Sequence, residues 1–201
     1  MLEELLSQSW TQWVALITGL TYVVLAAKAN NLCWVFGIVS CGFIAWDDFT
    51  EFHLYADGVL QILYVILGII GLVKWMRSSS VELEAFTVTE DGLNRHALAV
   101  LGSAILAWPL SLLLARYTDA AFGYSDSLTT LLSIYATILL IRKVKSNWIY
   151  WIVIDVIYVY IFARTGGLLI SVLYAIFAIV AVYGYLNWRT MEARTIKTTS
   201  K

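Results

Sequence analysis

Long apolar segments alternate with short polar turns along the chain. Seven segments can be delimited, at residues 10–27, 32–49, 54–75, 97–115, 127–141, 148–163 and 165–188. A helix needs about 20 predominantly apolar residues to cross the hydrocarbon core of a bilayer. The shorter segments carry Trp, Tyr, Ser or Thr at their ends, which can extend them through the interfacial regions. The pattern therefore predicts an all-α transmembrane protein with seven helices.

The amino-acid composition favours a membrane protein and excludes other classes. Of the 201 residues, 61% are hydrophobic and 13% are charged, and the mean hydropathy is +0.79. Soluble domains are usually about 45–50% apolar, so water is not the main solvent of this chain. The formal net charge is −1, and there is no long basic run. A nucleic-acid partner is therefore not expected.

The basic residues are distributed unevenly between the two sides of the predicted bundle. If every segment crosses the membrane, Arg116 and Arg164 lie on one side. The opposite side carries the remaining basic residues, which are Lys28, Lys74, Arg77, Arg95, Arg142, Lys143, Lys145, Arg189, Arg194, Lys197 and Lys201. Loops rich in Lys and Arg remain in the cytoplasm. The distribution predicts an N-terminus outside and a C-terminus in the cytoplasm.

The third and seventh segments resemble one another. A leucine, an aromatic residue, a glycine and a tryptophan recur at one offset, as Leu60, Tyr64, Gly71 and Trp75 and as Leu173, Phe177, Gly184 and Trp188. One connecting helix between two three-helix halves restores the chain direction, which would make the halves parallel repeats. We expect a first repeat at 1–76, a linker and connecting helix at 77–126, and a second repeat with a cytoplasmic tail at 127–201. Chance similarity between apolar helices is the alternative.

The connection between the two halves is the longest hydrophilic stretch of the chain. It runs over residues 76–96 and contains three consecutive serines and the acidic residues Glu82, Glu84, Glu90 and Asp91. This composition predicts a solvated linker.

An acidic residue lies deep within the sixth segment. Asp155 is about seven residues, or roughly 10 Å, from the start of that helix and so close to the middle of the membrane. A charged group at that depth is costly and usually functional. Trp151 and Tyr158 lie on the same helical face as Asp155. The alternative is a protonated Asp, or one that only joins helices by hydrogen bonds.

Polar side chains in three other segments follow helical spacing. Gln61 and Tyr64 share a face of the third segment, Ser133 and Thr137 share a face of the fifth, and Tyr174 lies on a similar stripe of the seventh. A polar group that faced lipid would remain unsatisfied at a cost of about 1–3 kcal/mol, so the stripes should face inward. Hydrogen bonding between helices, without a ligand, is the alternative for these residues.

Other polar and aromatic residues are given structural or electrostatic roles. Tryptophans near segment ends are expected to anchor the helices at the membrane interface, namely Trp10, Trp13, Trp34, Trp75 and Trp188. A group of acidic residues lies at the predicted outer mouth and consists of Asp47, Asp48, Glu51, Asp57 and Asp126. These residues would attract a cationic solute. The alternative is that they form only a solvated surface.

The sequence predicts no metal site, no cofactor and no enzymatic site. Cys33 and Cys41 would lie about 12 Å apart along a helix, which is too far for a mutual disulfide, and are expected to pack in the apolar interior. The histidines are only His53 and His96. There is no glycine-rich loop to bind phosphates, so ATP hydrolysis is not expected. An intramembrane enzyme that uses Asp57 and Asp155, or a structural subunit, is the alternative to a transporter.

Several motifs together resemble a known family. They are Leu54-Tyr55-Ala56-Asp57-Gly58-Val59-Leu60-Gln61 with Gly71 and Trp75, then Arg142-Lys143 with Asn147-Trp148-Ile149-Tyr150-Trp151-Ile152-Val153-Ile154-Asp155, and finally Leu173-Tyr174 with Gly184-Tyr185 and Trp188. This set is similar to the PnuC family of bacterial nicotinamide riboside transporters, from Trp13 to Trp188. In many relatives an Asn stands where this chain has Asp155.

The resemblance implies an architecture and a mode of transport. Its members are trimers in the cytoplasmic (inner) membrane, with two three-helix repeats joined by a linking helix, as in the SWEET sugar carriers. They transport the solute by facilitated diffusion for NAD biosynthesis, and a cytoplasmic kinase traps it by phosphorylation. Relatives with this fold carry thiamine or riboflavin, so thiamine or another aromatic vitamin is the alternative solute.

The chemistry of nicotinamide riboside suits the candidate residues. The molecule is a pyridinium cation with a carboxamide and a ribose, so it calls for aromatic faces, a negative charge and hydrogen-bonding groups. We assign aromatic faces to Trp151, Tyr158 and Tyr174 and the charge to Asp155. The hydrogen-bonding groups would come from Gln61, Tyr64, Ser133 and Thr137.

Overall fold

The computed structural model describes residues 8–81, 86–117 and 123–199. Over these residues the chain forms seven helices, which are α1 (Trp10–Ala27), α2 (Cys33–Thr50), α3 (Tyr55–Val81), α4 (Leu93–Tyr117), α5 (Tyr124–Ile141), α6 (Asn147–Thr165) and α7 (Leu168–Thr199). The predicted all-α architecture is confirmed. Six helices are long and apolar enough to cross a membrane. The exception is α2, whose 18 residues include Asp47 and Asp48.

Two helices extend beyond the predicted segments. α3 continues past Trp75 to Val81, and α7 continues past Trp188 to Thr199. Neither extension contains Gly or Pro, the residues that most often end a helix, so a polar sequence alone does not terminate it. Glu82 and Glu84 of the predicted linker lie outside the described residues.

The turns after α1 and α5 have the same backbone conformation. Ala29 and Lys143 adopt left-handed φ angles of 56° and 60°. The amide of the next residue in each turn, Asn30 or Val144, donates back into the helix over 2.9 Å. These hydrogen bonds satisfy carbonyls that a helix end leaves without partners. Both helices therefore reverse direction in the same way and lead into α2 and α6.

The helices pack largely in chain order. α2 packs against both α1 and α3, and α6 packs against α7 and α5. The helices thus form two groups, α1–α3 and α5–α7. Contacts of α1 with α7 and of α3 with α5 join these two groups. α4 packs against α5, and its other faces expose large apolar side chains such as Leu98, Ile105 and Leu112. Such a surface suits contact with lipid.

Three of the tryptophans predicted as interface anchors lie in the core instead. Trp34, Trp75 and Trp188 are 0–1% exposed, whereas Trp10 is 70% exposed. Glycines make the burial of large rings possible, since a Cβ on Gly71 would stand only 2.6 Å from the Trp34 ring. The anchor prediction is therefore wrong for these three residues. Trp34 packs against a glycine of a neighbouring helix, whereas Trp75 and Trp188 pack against other aromatic rings and donate hydrogen bonds to main-chain carbonyls.

The predicted solvated linker is only partly correct over residues 86–92, because four of these residues are exposed but the segment packs onto the bundle. Val88 is 5% exposed, and Thr89 exchanges backbone hydrogen bonds with the α5–α6 turn, from its amide to the Lys143 carbonyl over 3.0 Å and from the Lys145 amide to its carbonyl over 2.9 Å. Apolar side chains at Phe86 and Val88 pack against the helix ends and bring the segment down onto the bundle.

Candidate functional site

A cavity of about 280 Å³ lies between the two groups of helices. Side chains from α1, α2, α3, α5, α6 and α7 line it. Its volume is near the lower end of the roughly 300–1,000 Å³ that ligand pockets occupy in proteins. The cavity therefore has room for one small, flat solute.

Six of the eight predicted site residues line this cavity. They come from four different helices and are Gln61, Tyr64, Thr137, Trp151, Asp155 and Tyr174. The spacing that placed them on inward-facing stripes thus brings them together in the folded chain.

The other two predicted residues lie one layer behind the lining. The Ser133 hydroxyl is hydrogen-bonded to the Tyr64 hydroxyl at 2.5 Å. Tyr158 stacks on the Tyr174 ring with centroids 4.8 Å apart, and its hydroxyl is 3.0 Å from that of Thr129. In this structure Ser133 and Tyr158 therefore position lining tyrosines, and the prediction that they contact a solute themselves is not supported by the cavity lining.

Two polar groups reach the cavity without an internal partner. Asp155 is 4% exposed, and within the described residues neither its carboxyl group nor the Gln61 amide makes a hydrogen bond. Buried polar groups are nearly always hydrogen-bonded. A carboxyl and an amide that face the same cavity are therefore available to a polar, cationic ligand.

Several lining residues were missed by sequence reasoning. Tyr22 of α1, Trp34 of α2 and Trp148 of α6 line the cavity, and within the described chain the indole nitrogens of both tryptophans lack hydrogen-bond partners. A signal was present, because Trp34 and Trp148 each follow a basic turn and precede an apolar helix. The position of Trp34 at a helix start favours the interface, whereas Trp148 shares a helical face with Asp155 and the sequence leaves its role open.

The cavity has no basic lining residue, since none of the described side chains that line it is Lys or Arg. At the end of α2, Asp47 and Asp48 are 3% and 6% exposed, so they are buried and do not form the predicted open acidic vestibule. Glu51 is exposed, and Asp57 of α3 and Asp126 of α5 are half-buried. That these three residues attract a cationic solute stays a prediction.

Within the described residues no group of three or more His, Cys, Asp or Glu side chains is placed to hold a metal ion. Cys33 is buried, and Cys41 lines the cavity.

Comparison with known proteins identifies the family. The model of a family described as nicotinamide mononucleotide transporter matches residues 9–190. Curated relatives include the nicotinamide riboside transporter PnuC of Neisseria mucosa, 27% identical over 92% of this chain and 74% of that protein, and its counterpart in Escherichia coli, 28% identical over 90% and 85%. This chain belongs to the PnuC family. It is a multi-pass bacterial membrane protein.

The fold comparison agrees with the sequence comparison. A crystal structure described as that of the vitamin B3 transporter PnuC superposes with a TM-score of 0.72 and 25% identity, over 93% of this chain and 83% of that one. The resemblance to the PnuC family that the motifs indicated is confirmed.

Proposed function

We propose that this PnuC-family chain takes up nicotinamide riboside by facilitated diffusion, which supplies NAD biosynthesis. The observation that carries the proposal is the cavity, where the unpartnered Asp155 carboxyl group lies among the rings of Trp151 and Tyr174. An acidic group and aromatic faces attract a pyridinium cation. The Gln61 amide can pair with the carboxamide of the solute.

The cavity favours the riboside over the mononucleotide named in the family description. The two molecules differ by a phosphate, which proteins bind with Arg, Lys or a helix N-terminus. The described lining residues include no Arg or Lys but do include Asp155. A phosphate beside that carboxyl group would be repelled, and a phosphorylated solute would not leave by the same route.

The proposed site has three layers of interactions. Trp151 and Tyr174 stack on the flat ring, Asp155 offsets its charge, and Gln61, Tyr64 and Thr137 meet its polar groups. Behind them Ser133 and Tyr158 hold Tyr64 and Tyr174 in place, as their contacts support.

The proposed topology has seven crossings and two parallel three-helix repeats of the SWEET type, with the N-terminus outside. The matching turns after α1 and α5 support the repeats. The turns and segments assigned to the cytoplasm also lie together, since Arg142 pairs with Asp91 and Lys145 with Glu192. We extend this to a homotrimer in the inner membrane, as the sequence resemblance implied.

Transport in the proposed mechanism is downhill and needs no ATP. A cytoplasmic kinase then consumes the riboside, and the phosphorylated product is retained because the cavity opposes phosphate. Net uptake follows from this trapping.

Purified protein in proteoliposomes tests the proposal. Labelled nicotinamide riboside should enter until its concentrations inside and outside are equal, and an enclosed riboside kinase with ATP should carry accumulation past that point. Excess unlabelled mononucleotide should compete poorly. Preferential competition by thiamine would assign the alternative vitamin, and accumulation driven by a proton or sodium gradient would contradict uncoupled diffusion.

A further inference from the structure

Four tryptophans packed against one another close the cavity at the end where residues 86–92 lie. Trp34 and Trp148 line the cavity. Behind them Trp75 packs edge-on against Trp34 with centroids 5.3 Å apart, and Trp188 packs against Trp148 at 5.6 Å. Trp75 and Trp188 are fully buried and lie 6.1 Å from each other. A solute that leaves at this end must pass between these rings.

The four tryptophans form an aromatic floor of the cavity, and this floor joins the two groups of helices. The Trp75 indole of α3 donates to the Ile141 carbonyl at the end of α5 over 3.2 Å, and the Trp188 indole of α7 donates to the Ala26 carbonyl at the end of α1 over 3.2 Å. Each tryptophan is thus bonded to the opposite group. Opening the floor requires both hydrogen bonds to break.

Phe86 covers the joint between the two tryptophans. Its ring lies 4.8 Å from that of Trp75 and 5.2 Å from that of Trp188. The Lys143 ammonium lies over this ring at 4.5 Å from its centroid. Separation of Trp75 from Trp188 would therefore remove the surface on which Phe86 packs.

The rest of the 86–92 segment is attached to the α5–α6 turn. Two Arg142 nitrogens donate to the Asp91 carboxylate over 2.7 and 2.9 Å, and the Asp91 side chain is only 5% exposed. Lys145 lies 3.6 Å from Glu90 and 2.6 Å from Glu192 of α7. A two-pronged arginine pair of this kind is strong and directional. The Arg142–Asp91 pair therefore connects residues 86–92, which follow the first group of helices, to the second group.

We propose that residues 86–92 form a strap that keeps the cavity closed at this end, and that release of a solute here requires the strap to detach from the α5–α6 turn at residues 142–146. Arg142 and Phe86 are two of its side-chain attachment points, beside the backbone hydrogen bonds of Thr89 with the turn. The proposal rests on membership of a transporter family and holds for any solute of that cavity.

Cys41 provides a readout that needs no solute, because it lines the cavity while Cys33 is 0% exposed. The probe is a small cationic methanethiosulfonate, applied to either face of sealed vesicles that contain the full chain. From the strap side, Arg142→Gln and Phe86→Ala should each raise the rate of Cys41 modification by roughly three- to tenfold, as loss of a charge-assisted pair or of ring packing shifts a closed–open equilibrium. Cys41→Ser gives the background.

The matched control is Arg95→Gln. Arg95 also binds Asp91, over 2.8 Å, but belongs to α4 and does not connect the strap to the turn. Its loss should leave Cys41 as protected as in the unaltered chain.

Two outcomes would overturn the proposal that residues 86–92 keep the cavity closed. They are an unchanged rate of Cys41 modification in Arg142→Gln, and equal increases of that rate in Arg142→Gln and Arg95→Gln. If Phe86→Ala does not fold, Arg142→Gln decides the matter. Absence of nicotinamide riboside transport would refute the proposed function but leave this assay readable.

Discussion

Asp155 and Gln61 present hydrogen-bonding groups to the cavity that have no partner among the described residues. Both were identifiable in the sequence, because a polar side chain inside an apolar segment is costly unless it has a use. Ser133 and Tyr158 share the same stripes but lie behind Tyr64 and Tyr174. Helical spacing gives the face on which a residue lies, whereas its distance from a cavity depends on how closely other helices approach.

We expect Trp151→Ala to weaken solute binding more than Asp155→Asn. Loss of the ring removes a stacking face, whereas Asn keeps the shape and a dipole of the lost carboxylate. Asp155→Asn should cost about 1–3 kcal/mol of binding free energy if the carboxylate is charged. Folding should persist because no described residue depends on Asp155 for a hydrogen bond. Titration calorimetry with nicotinamide riboside measures both.

The control for this comparison is Tyr158→Phe, which keeps the stack on Tyr174 and removes only the contact with the Thr129 hydroxyl. Its affinity should be close to that of the unaltered chain. Unchanged affinity in both Trp151→Ala and Asp155→Asn, in protein that elutes normally, would return the two residues to a structural role.

Gly71→Ala and Gly184→Ala should each destabilise the protein. The new Cβ atoms would stand 2.6 Å from the Trp34 ring and 2.7 Å from the Trp148 ring, so each indole must shift. Overpacking of a buried site costs about 1–3 kcal/mol. Thermal unfolding in detergent should show lower midpoints. Gly102→Ala in α4 is the control, because nothing lies within 4 Å of its Cβ, and its midpoint should not fall.

At the scale of elements, the same turn appears twice, after α1 and after α5, although the two sequences differ. Ala29 and Lys143 occupy left-handed positions that usually favour glycine, so neither turn was recognisable from residue type. The strap is a second element that composition described only in part. Its charged residues predicted solvation, and Glu90 is exposed, but Val88 is buried, Phe86 is partly buried, and Asp91 finds a guanidinium partner in Arg142.

The strap should loosen at acidic pH. The hydrogen bonds from Arg142 lower the pKa of Asp91 below its ordinary value, so protonation is harder in the folded chain than in the unfolded one. Asp91 therefore stabilises the fold fully above the ordinary carboxyl pKa of about 3.9, and this stabilisation is lost as pH falls through the lowered pKa. The unfolding midpoint of the unaltered chain should exceed that of Asp91→Asn at neutral pH, and the difference should shrink as the pH falls below the ordinary carboxyl pKa and through the lowered pKa of Asp91. A difference that persists unchanged at the lowest pH would contradict this.

At the scale of the molecule, the crossing of α2 decides the topology. α2 is as long as α1, with 18 residues, but the buried Asp47 and Asp48 reduce its apolar character. It packs against both α1 and α3, which are long and apolar enough to cross. If α2 did not cross, the turns at its two ends would lie on one side, and the segregation of basic residues would be lost.

Side-specific labelling tests the seven crossings. In a chain without its native cysteines, Glu51→Cys should react with an impermeant maleimide in intact cells, whereas Lys28→Cys should react only after permeabilisation. Both positions are exposed, Lys28 in the turn that precedes α2 and Glu51 directly after α2. Arg189→Cys is the control for the cytoplasmic side. Labelling of Glu51→Cys and Lys28→Cys from the same side would contradict a crossing by α2.

The sequence by itself determined the all-α class, the seven helices of the described residues, the family and the helical faces that carry Gln61, Thr137 and Asp155. These follow from local properties, since hydropathy and helical spacing depend only on neighbours along the chain. The tertiary structure alone decided that Trp34, Trp75 and Trp188 lie inside, and that residues 86–92 fold back onto the helix ends. Both depend on partners distant in sequence, a glycine opposite an indole and an arginine opposite an aspartate, whose approach is set by the packing of whole helices.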